Sequence, residues 1–293
     1  MAQPFARRRR LIQVGFRFGT YLALALVVAP AAWLIISVVA RAVPHWRWDV
    51  LWTKGDGTGG GLLNAILGTL MLMVGVFIIA GTIGVLAGVH LSELAKPRRN
   101  GKPSGGVLRA ASDVLSGFPS IVLGYVGYVA LVVGLHWQYG LLPAWIIVSI
   151  MVVPYIAKST ETALRQVPTN YREGAEALGM SPGYSLRKVV LKSGLPGIVT
   201  GLLLALAIAS GETAPLIYTA GWTTELPNAQ LIHSHGFPYL TYPVFSFYDQ
   251  PSSEAHYLAF DAALLLVVLI AVLLIASRII VARTQRNAEG RMG

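Results

Sequence analysis

Glu212 is a lone carboxylate: between Lys192 and Glu225 no other Asp, Glu, Lys or Arg occurs. Ionisable side chains inside an apolar segment are costly, and they usually face an interior or a path. A carboxylate there can pair with a cation or latch one of two conformations. Simple satisfaction inside the fold is the alternative reading. Gly211 and Pro215 flank it, and proline removes a backbone donor, so helix geometry is expected to break here. Asp113 and Asp261 stand near the starts of two other apolar runs, where solvation among headgroups is the expected state.

No other constellation supports bond chemistry. The chain has no Cys, which excludes disulfides, thiolate ligands and a cysteine nucleophile. His233 and His235 have a metal-like spacing, but no third or fourth ligand is evident. The glycine-rich run GDGTGGG at 55–61 lacks the following Lys and Ser/Thr of a phosphate-cradling loop, and GKPS at 101–104 lacks the upstream glycine. Neither a catalytic site nor a metal or cofactor is expected. If transport is active, its energy comes from an ion gradient or from another subunit.

The elements that must position Glu212 are membrane spans. Of 293 residues, 55% are hydrophobic and 12% charged, where a soluble domain carries roughly 25% charged. Polar surface is too scarce to cover a water-exposed particle, so the formal charge of +10 is read by location and not as a nucleic-acid signal. Six apolar runs are expected to cross the bilayer: 18–40, 61–89, 110–135, 139–156, 194–220 and 256–276. The first is too long for the apolar part of a signal peptide. The third carries the break Gly117-Phe118-Pro119-Ser120, and the fourth is broken by Pro154. Gly194, Gly197, Gly201 and Gly211 permit close helix contacts in the fifth.

Lysine and arginine set the orientation. Segments 1–17, 90–109, 158–192 and 278–293 hold 20 of the 23, and the outer loops hold Arg41, Arg47 and Lys54. That positive-inside bias puts both termini in the cytoplasm. The outer loop 221–254 has no Lys or Arg but is rich in aromatics, among them Trp222, Phe237, Tyr239, Tyr242, Phe245, Phe247 and Tyr248. It either anchors at the interface or docks a partner.

The segment that feeds the fifth span is polar and folded. Tyr171 to Leu178 is a plausible helix. Gly179 is placed to end it with a turn, and Pro182 suits the first turn of a second, amphipathic helix. A cytoplasmic helix–turn–helix wired into a span is the shape needed to receive force from a partner. A solvated loop is the plainer alternative.

These residues carry a resemblance. Glu173-Gly-Ala, three residues, Gly179, nine residues and Val189-Val-Leu resembles the EAA loop of ATP-binding-cassette importer permeases. The departures are Gly174 for the usual Ala, and Lys192 where many members have Pro. SGETAPLIYTA at 210–220, SGFPSIVLGYVGY at 116–128 and LAGVHLSELAK at 86–96 are similar to the phosphate-importer branch, the PstA type. The resemblance implies an all-α polytopic permease of type I (MetI-like) fold with six spans. It divides the chain into a basic N-terminus at 1–17, a transmembrane domain at 18–281 with the coupling segment 164–194 inside it, and a tail at 282–293. It also implies an importer of inorganic phosphate in the inner or plasma membrane. Its partners would be a PstC-like sister permease, two copies of a PstB-like ATPase and a PstS-like phosphate-binding protein, with no nucleic acid. Glu173, Ala175, Gly179, Met180 and Ser181 would form the coupling surface for the ATPase. Glu212, Thr213, Pro215 and Ser120 would lie on the translocation path or gate. A permease for molybdate or sulfate, an ion-coupled transporter and a membrane assembly protein are the alternatives.

Overall fold

The computed structural model describes residues 3–95, 105–228, 231–232 and 235–289. The side chains of Arg7, Arg8, Arg9 and Arg10 lie outside the described residues, as do Lys96, Arg98, Arg99, Lys102, His233 and Arg291. The chain falls into two units, Met1–Trp46 and Arg47–Gly293. The first is one long helix, α1 (Gln3–Ala42), closed by a 3-10 turn at Val43–His45.

The second unit is helical apart from a two-residue hairpin, β1 (Gly55–Asp56) and β2 (Gly59–Gly60), which accounts for the glycine-rich run. Its helices are α2 (Leu63–Val89), α3 (Gly106–Gly117), α4 (Ser120–Gly127), α5 (Leu141–Arg165), α6 (Thr169–Ala177), α7 (Pro182–Ser185), α8 (Leu191–Ser210), α9 (Ala214–Thr219), α10 (Thr241–Ser246) and α11 (Ser253–Glu289). Wider π turns extend α2 through Leu94 and α4 through Gly134, and another joins α7 to α8.

Among the described residues, five helices are long and apolar enough to cross a membrane: Gln13–His45, Leu63–Glu93, Leu141–Arg165, Pro182–Ser210 and Ser253–Thr284. Their outward faces carry large apolar side chains, such as Phe77 and Ile78 on α2 and Val272 and Ile275 on α11. In water such a surface would be a liability; in lipid it is the solvated face.

The third expected span differs from its reading. Gly106–Gly117 and Ser120–Gly134 meet at a bend of 100°. Phe118 is extended because the residue before a proline is driven out of the helical region, and Pro119 is extended after it. The 12 residues of α3 reach only about 18 Å, well short of a ~30 Å hydrocarbon core. α3 buries no side chain, and Asp113 on it is exposed. Counting the bent pair as one crossing raises the number of spans to six.

Pro154 also departs from expectation: it does not break the fourth span. α5 runs through it to Arg165. Pro154 is buried, and close packing on both sides of α5 holds the helix across the missing donor. On one side an added Cβ at Gly84 would sit 2.6 Å from Ile156. On the other, Cβ atoms at Gly194, Gly197 and Gly201 of α8 would meet Leu164, Ala163 and Ser159 at 2.7, 2.6 and 2.2 Å. The spacing of those three glycines makes the seam between α8 and α5. Gly211 makes no such approach.

The main core joins Leu72, Val76 and Ala80 of α2 to Leu141, Val148 and Val152 of α5 and Ala205 and Ala209 of α8. A second core packs Val50, Leu62 and Ala65 against Leu240, Phe247, Leu258 and Ala262. Asp261 is 2% exposed beside it, and its Oδ1 has no hydrogen-bond partner among the described residues. It is therefore not solvated among headgroups.

The outer loop is divided. Phe237, Tyr239 and Phe247 are buried, and Trp222 stacks on Tyr242 with ring centroids 4.3 Å apart. Phe245 and Tyr248 stay exposed. Most of the aromatic content that reads as an outer surface is core.

Candidate functional site

The break at Glu212 and the turn at Gly179 lie at the two ends of one helix. Pro182–Ser210 is continuous over 29 residues, about 43 Å at 1.5 Å per residue.

At its C-terminal end α8 stops at Ser210. Gly211 N–H donates to the Ile208 carbonyl at 3.1 Å and Glu212 N–H to Ala209 at 3.3 Å. Thr213 then leaves the helical region at φ −121°, and α9 restarts with Pro215 in its first turn. Leu216 and Ile217 N–H both donate to the Thr213 carbonyl, at 3.1 and 3.0 Å. The break therefore falls where the sequence places it, between Gly211 and Pro215.

Glu212 is half-buried, and the Ser120 hydroxyl lies beside its carboxylate. Ser120 opens α4 just after the 100° bend. One turn on, an added Cβ at Gly124 would lie 2.6 Å from Pro215 Cα. At Gly127 it would lie 2.3 Å from the Ile147 side chain and 3.1 Å from Thr219. Ser120, Gly124 and Gly127 share one face at i, i+4 and i+7. Small residues on that face bring α4 against α9 and so bring Ser120 to Glu212. Among the described residues the ion pairs do not include Glu212. Among the described residues the polar group beside it is the Ser120 hydroxyl, which carries no charge. Thr213 and Pro215 shape the break, with Pro215 buried.

Tyr125 and Tyr128 of α4 and Tyr218 of α9 gather above this point. Their ring centroids lie 6.0 to 6.5 Å apart. Tyr139 stacks on Tyr128 at 6.1 Å.

At the other end, α6 closes with a left-handed turn. Gly179 has φ +73°, its N–H donates to Glu176 at 2.9 Å, and Met180 N–H donates to Ala175 at 3.0 Å. This pair of bonds is the Schellman motif, which needs a residue that tolerates positive φ. Ser181 is the N-cap of the next helix and Pro182 its first residue. Ala175 faces inward at 4% exposure, while Glu173 and Ser181 are exposed and Met180 is half-buried. Leu178, Tyr171 and Tyr184 are large apolar side chains left exposed around the turn.

Sequence reading missed what fastens this element. Arg172 forms an ion pair with Glu93 at the end of α2, and its guanidinium also donates to the Leu164 carbonyl of α5 at 3.0 Å. Beside it, Glu161 accepts from Arg109 of α3 at 2.9 Å and pairs with Arg165 at 2.8 Å. The i, i+4 spacing of Glu161 and Arg165 is a local signal, but the other pairs span 52 and 79 residues and no spacing reveals them. Beneath them Leu164, Val167, Val190 and Ile198 form a small apolar cluster that seats the turn on α5 and α8.

Residues 80–286 match the family of binding-protein-dependent transport system inner membrane components. The chain is 52% identical over 275 residues to "Phosphate transport system permease protein PstA 2" of Mycobacterium bovis, covering 94% of this chain and 89% of that one. It is 32% identical over 251 residues to "Phosphate transport system permease protein PstA" of Pasteurella multocida, covering 84% and 86%. Among solved structures, a chain of the inward-facing MetNI methionine ABC transporter superposes with a TM-score of 0.56 at 23% identity. That match covers 75% of this chain and 96% of the other.

Proposed function

We propose a function from one premise: the chain belongs to the family of binding-protein-dependent transport system inner membrane components. It is an all-α, multi-pass membrane protein and the permease subunit of an ATP-driven importer, while the ATP chemistry belongs to a separate ATPase. The substrate we assign is inorganic phosphate, on the strength of the relatives that are phosphate permeases by name. The partners are then a PstC-like sister permease, two copies of a PstB-like ATPase and a PstS-like binding protein.

The observation that carries the mechanism is the single helix joining the turn at Gly179 to the break at Glu212. Glu173, Gly179, Met180 and Ser181 present the surface on which the ATPase pulls, and Ala175 packs beneath it to hold the turn in place. ATP binding closes the ATPase pair and hydrolysis reopens it. A rigid helix passes that displacement along its axis with little loss, and a helix that ends in a break delivers it to the residues at the break. Glu212, Thr213, Pro215 and Ser120 are therefore the gate. The binding protein delivers phosphate to the outward-open state, and the gate passes it inward.

The test is uptake into proteoliposomes holding the whole complex, with binding protein and phosphate, sulfate or molybdate supplied separately. Phosphate alone should stimulate ATP hydrolysis and be accumulated. Stimulation by molybdate or sulfate in its place would overturn the substrate assignment.

For orientation we assign six crossings with both termini cytoplasmic, the bent pair α3–α4 serving as the third. The absence of Cys makes single-cysteine labelling clean. A cysteine in place of exposed Glu176 should react only from inside, and one in place of exposed Asp56 only from outside. External labelling at 176 would sink this topology.

A further inference from the structure

The break at Glu212 leaves a carbonyl without its helical partner. In an unbroken helix the Glu212 carbonyl would accept from Leu216 N–H, but that N–H goes to Thr213 instead. A backbone carbonyl buried without a partner is costly. Here the hydroxyl of Thr241 supplies the bond, donating to the Glu212 carbonyl at 2.8 Å. Thr241 is 4% exposed and opens α10, 29 residues further along the chain.

Thr241 is itself held. Leu240 N–H donates to the Thr69 hydroxyl of α2 at 2.9 Å, and both residues are buried. Just before it, the Pro238 carbonyl packs so closely on α2 that a Cβ at Gly68 would sit 1.9 Å from it. Tyr239 is 1% exposed. Segment 237–241 is thus a strut seated on α2, and its last residue grips the backbone of the break. Ser120 stands beside the Glu212 side chain, and Thr241 holds its main chain.

We propose that Thr241 is a positioning residue for Glu212: its hydroxyl fixes the backbone of the break, so that movement of the outer strut 237–241 against α2 is carried to the gate. The inference rests on the reading of Glu212 as the gate and adds the element that sets its geometry. It also gives the buried part of the outer loop a role that neither anchoring nor docking supplies.

The experiment uses the full complex in proteoliposomes, with phosphate and binding protein, and rates normalised to assembled complex. Thr241→Val keeps the shape and removes the hydroxyl; Thr241→Ser restores it. Losing one hydrogen bond of this kind should lower turnover in Thr241→Val about three- to tenfold, with little change in the KM for loaded binding protein. Thr241→Ser should recover to within about twofold of the parent. If Thr241 acts through Glu212, the valine should cost less than about twofold further in a Glu212→Gln background. Parental turnover in Thr241→Val, failure of the serine to rescue, or the same full loss in the Glu212→Gln background would each overturn the proposal. Should the valine complex not assemble, Thr241→Ala takes its place; if neither assembles while the serine does, the role is purely structural and the proposal falls. A Glu212→Gln complex that transports at the parental rate would instead remove the gate reading itself, which separates the two failures.

Discussion

Gly179→Val should give a protein that inserts and accumulates normally but fails to retain the ATPase, with phosphate uptake reduced up to about a hundredfold, as a turn strained by roughly 1–3 kcal/mol implies. The argument is conformational. Gly179 sits at φ +73°, and a Cβ built there meets nothing within 4 Å. Space does not forbid a side chain; the left-handed backbone does, most severely for a β-branched one. The Schellman bonds from Gly179 and Met180 would have to open, and α7 would leave its course relative to α6. Asn tolerates this region far better, so Gly179→Asn should retain the ATPase. Co-purification of the ATPase and phosphate uptake measure both variants. Normal retention and uptake in Gly179→Val would leave the docking assignment unsupported. Loss in Val and Asn alike would point to the turn's surface and not to its backbone.

What was legible in the sequence is what a few neighbouring residues decide. Gly179 followed by Pro182 marks a turn because one tolerates positive φ and the other suits a first helical turn. Gly211 and Pro215 mark the break at Glu212 because proline withholds a donor. The same rule failed at Pro154, where packing of α5 against α2 and α8 overrides the local defect. At Phe118-Pro119 it understated the outcome. A pattern shows that a helix must break there but not by what angle, and the 100° bend turns one expected span into two helices.

The remainder depends on contacts distant in sequence. Nothing near Arg172 announces Glu93, and nothing near Thr241 announces Glu212. Phe237 and Tyr239 read as an interfacial belt because aromatics suit both a headgroup layer and a core. Only the seat on Gly68 and Thr69 tells the two apart. Asp261 misled for a related reason. Its place near the start of α11 suggests solvation, and the packing of Val50, Leu62 and Leu258 around that end excludes it.

Glu212→Gln should produce a complex that inserts and assembles like the parent and yet imports phosphate at least about tenfold more slowly, the effect of losing a charge-assisted interaction worth about 1.5–3 kcal/mol. Gln has nearly the same shape, and its carbonyl oxygen can still face the Ser120 hydroxyl. The contact between α4 and α9 through Gly124 and Pro215 does not involve the carboxylate, so packing should hold. What disappears is charge. A carboxylate facing lipid at mid-membrane would cost about 2.5–3.5 kcal/mol on insertion, a cost avoided by an interior position with a partner. Among the described residues the group beside the carboxylate is Ser120, which neutralises nothing. On the proposed function the charge pairs with a cation of the sister permease in one end state and is released from it in the other. With Gln that end state loses its latch, and ATP hydrolysis should either stop or run without the binding protein. If the carboxylate serves only to satisfy the break, Glu212→Ala should impair assembly while Glu212→Gln transports normally. Uptake by a fully assembled Glu212→Gln complex decides between them, and a parental rate there would remove Glu212 from the transport cycle.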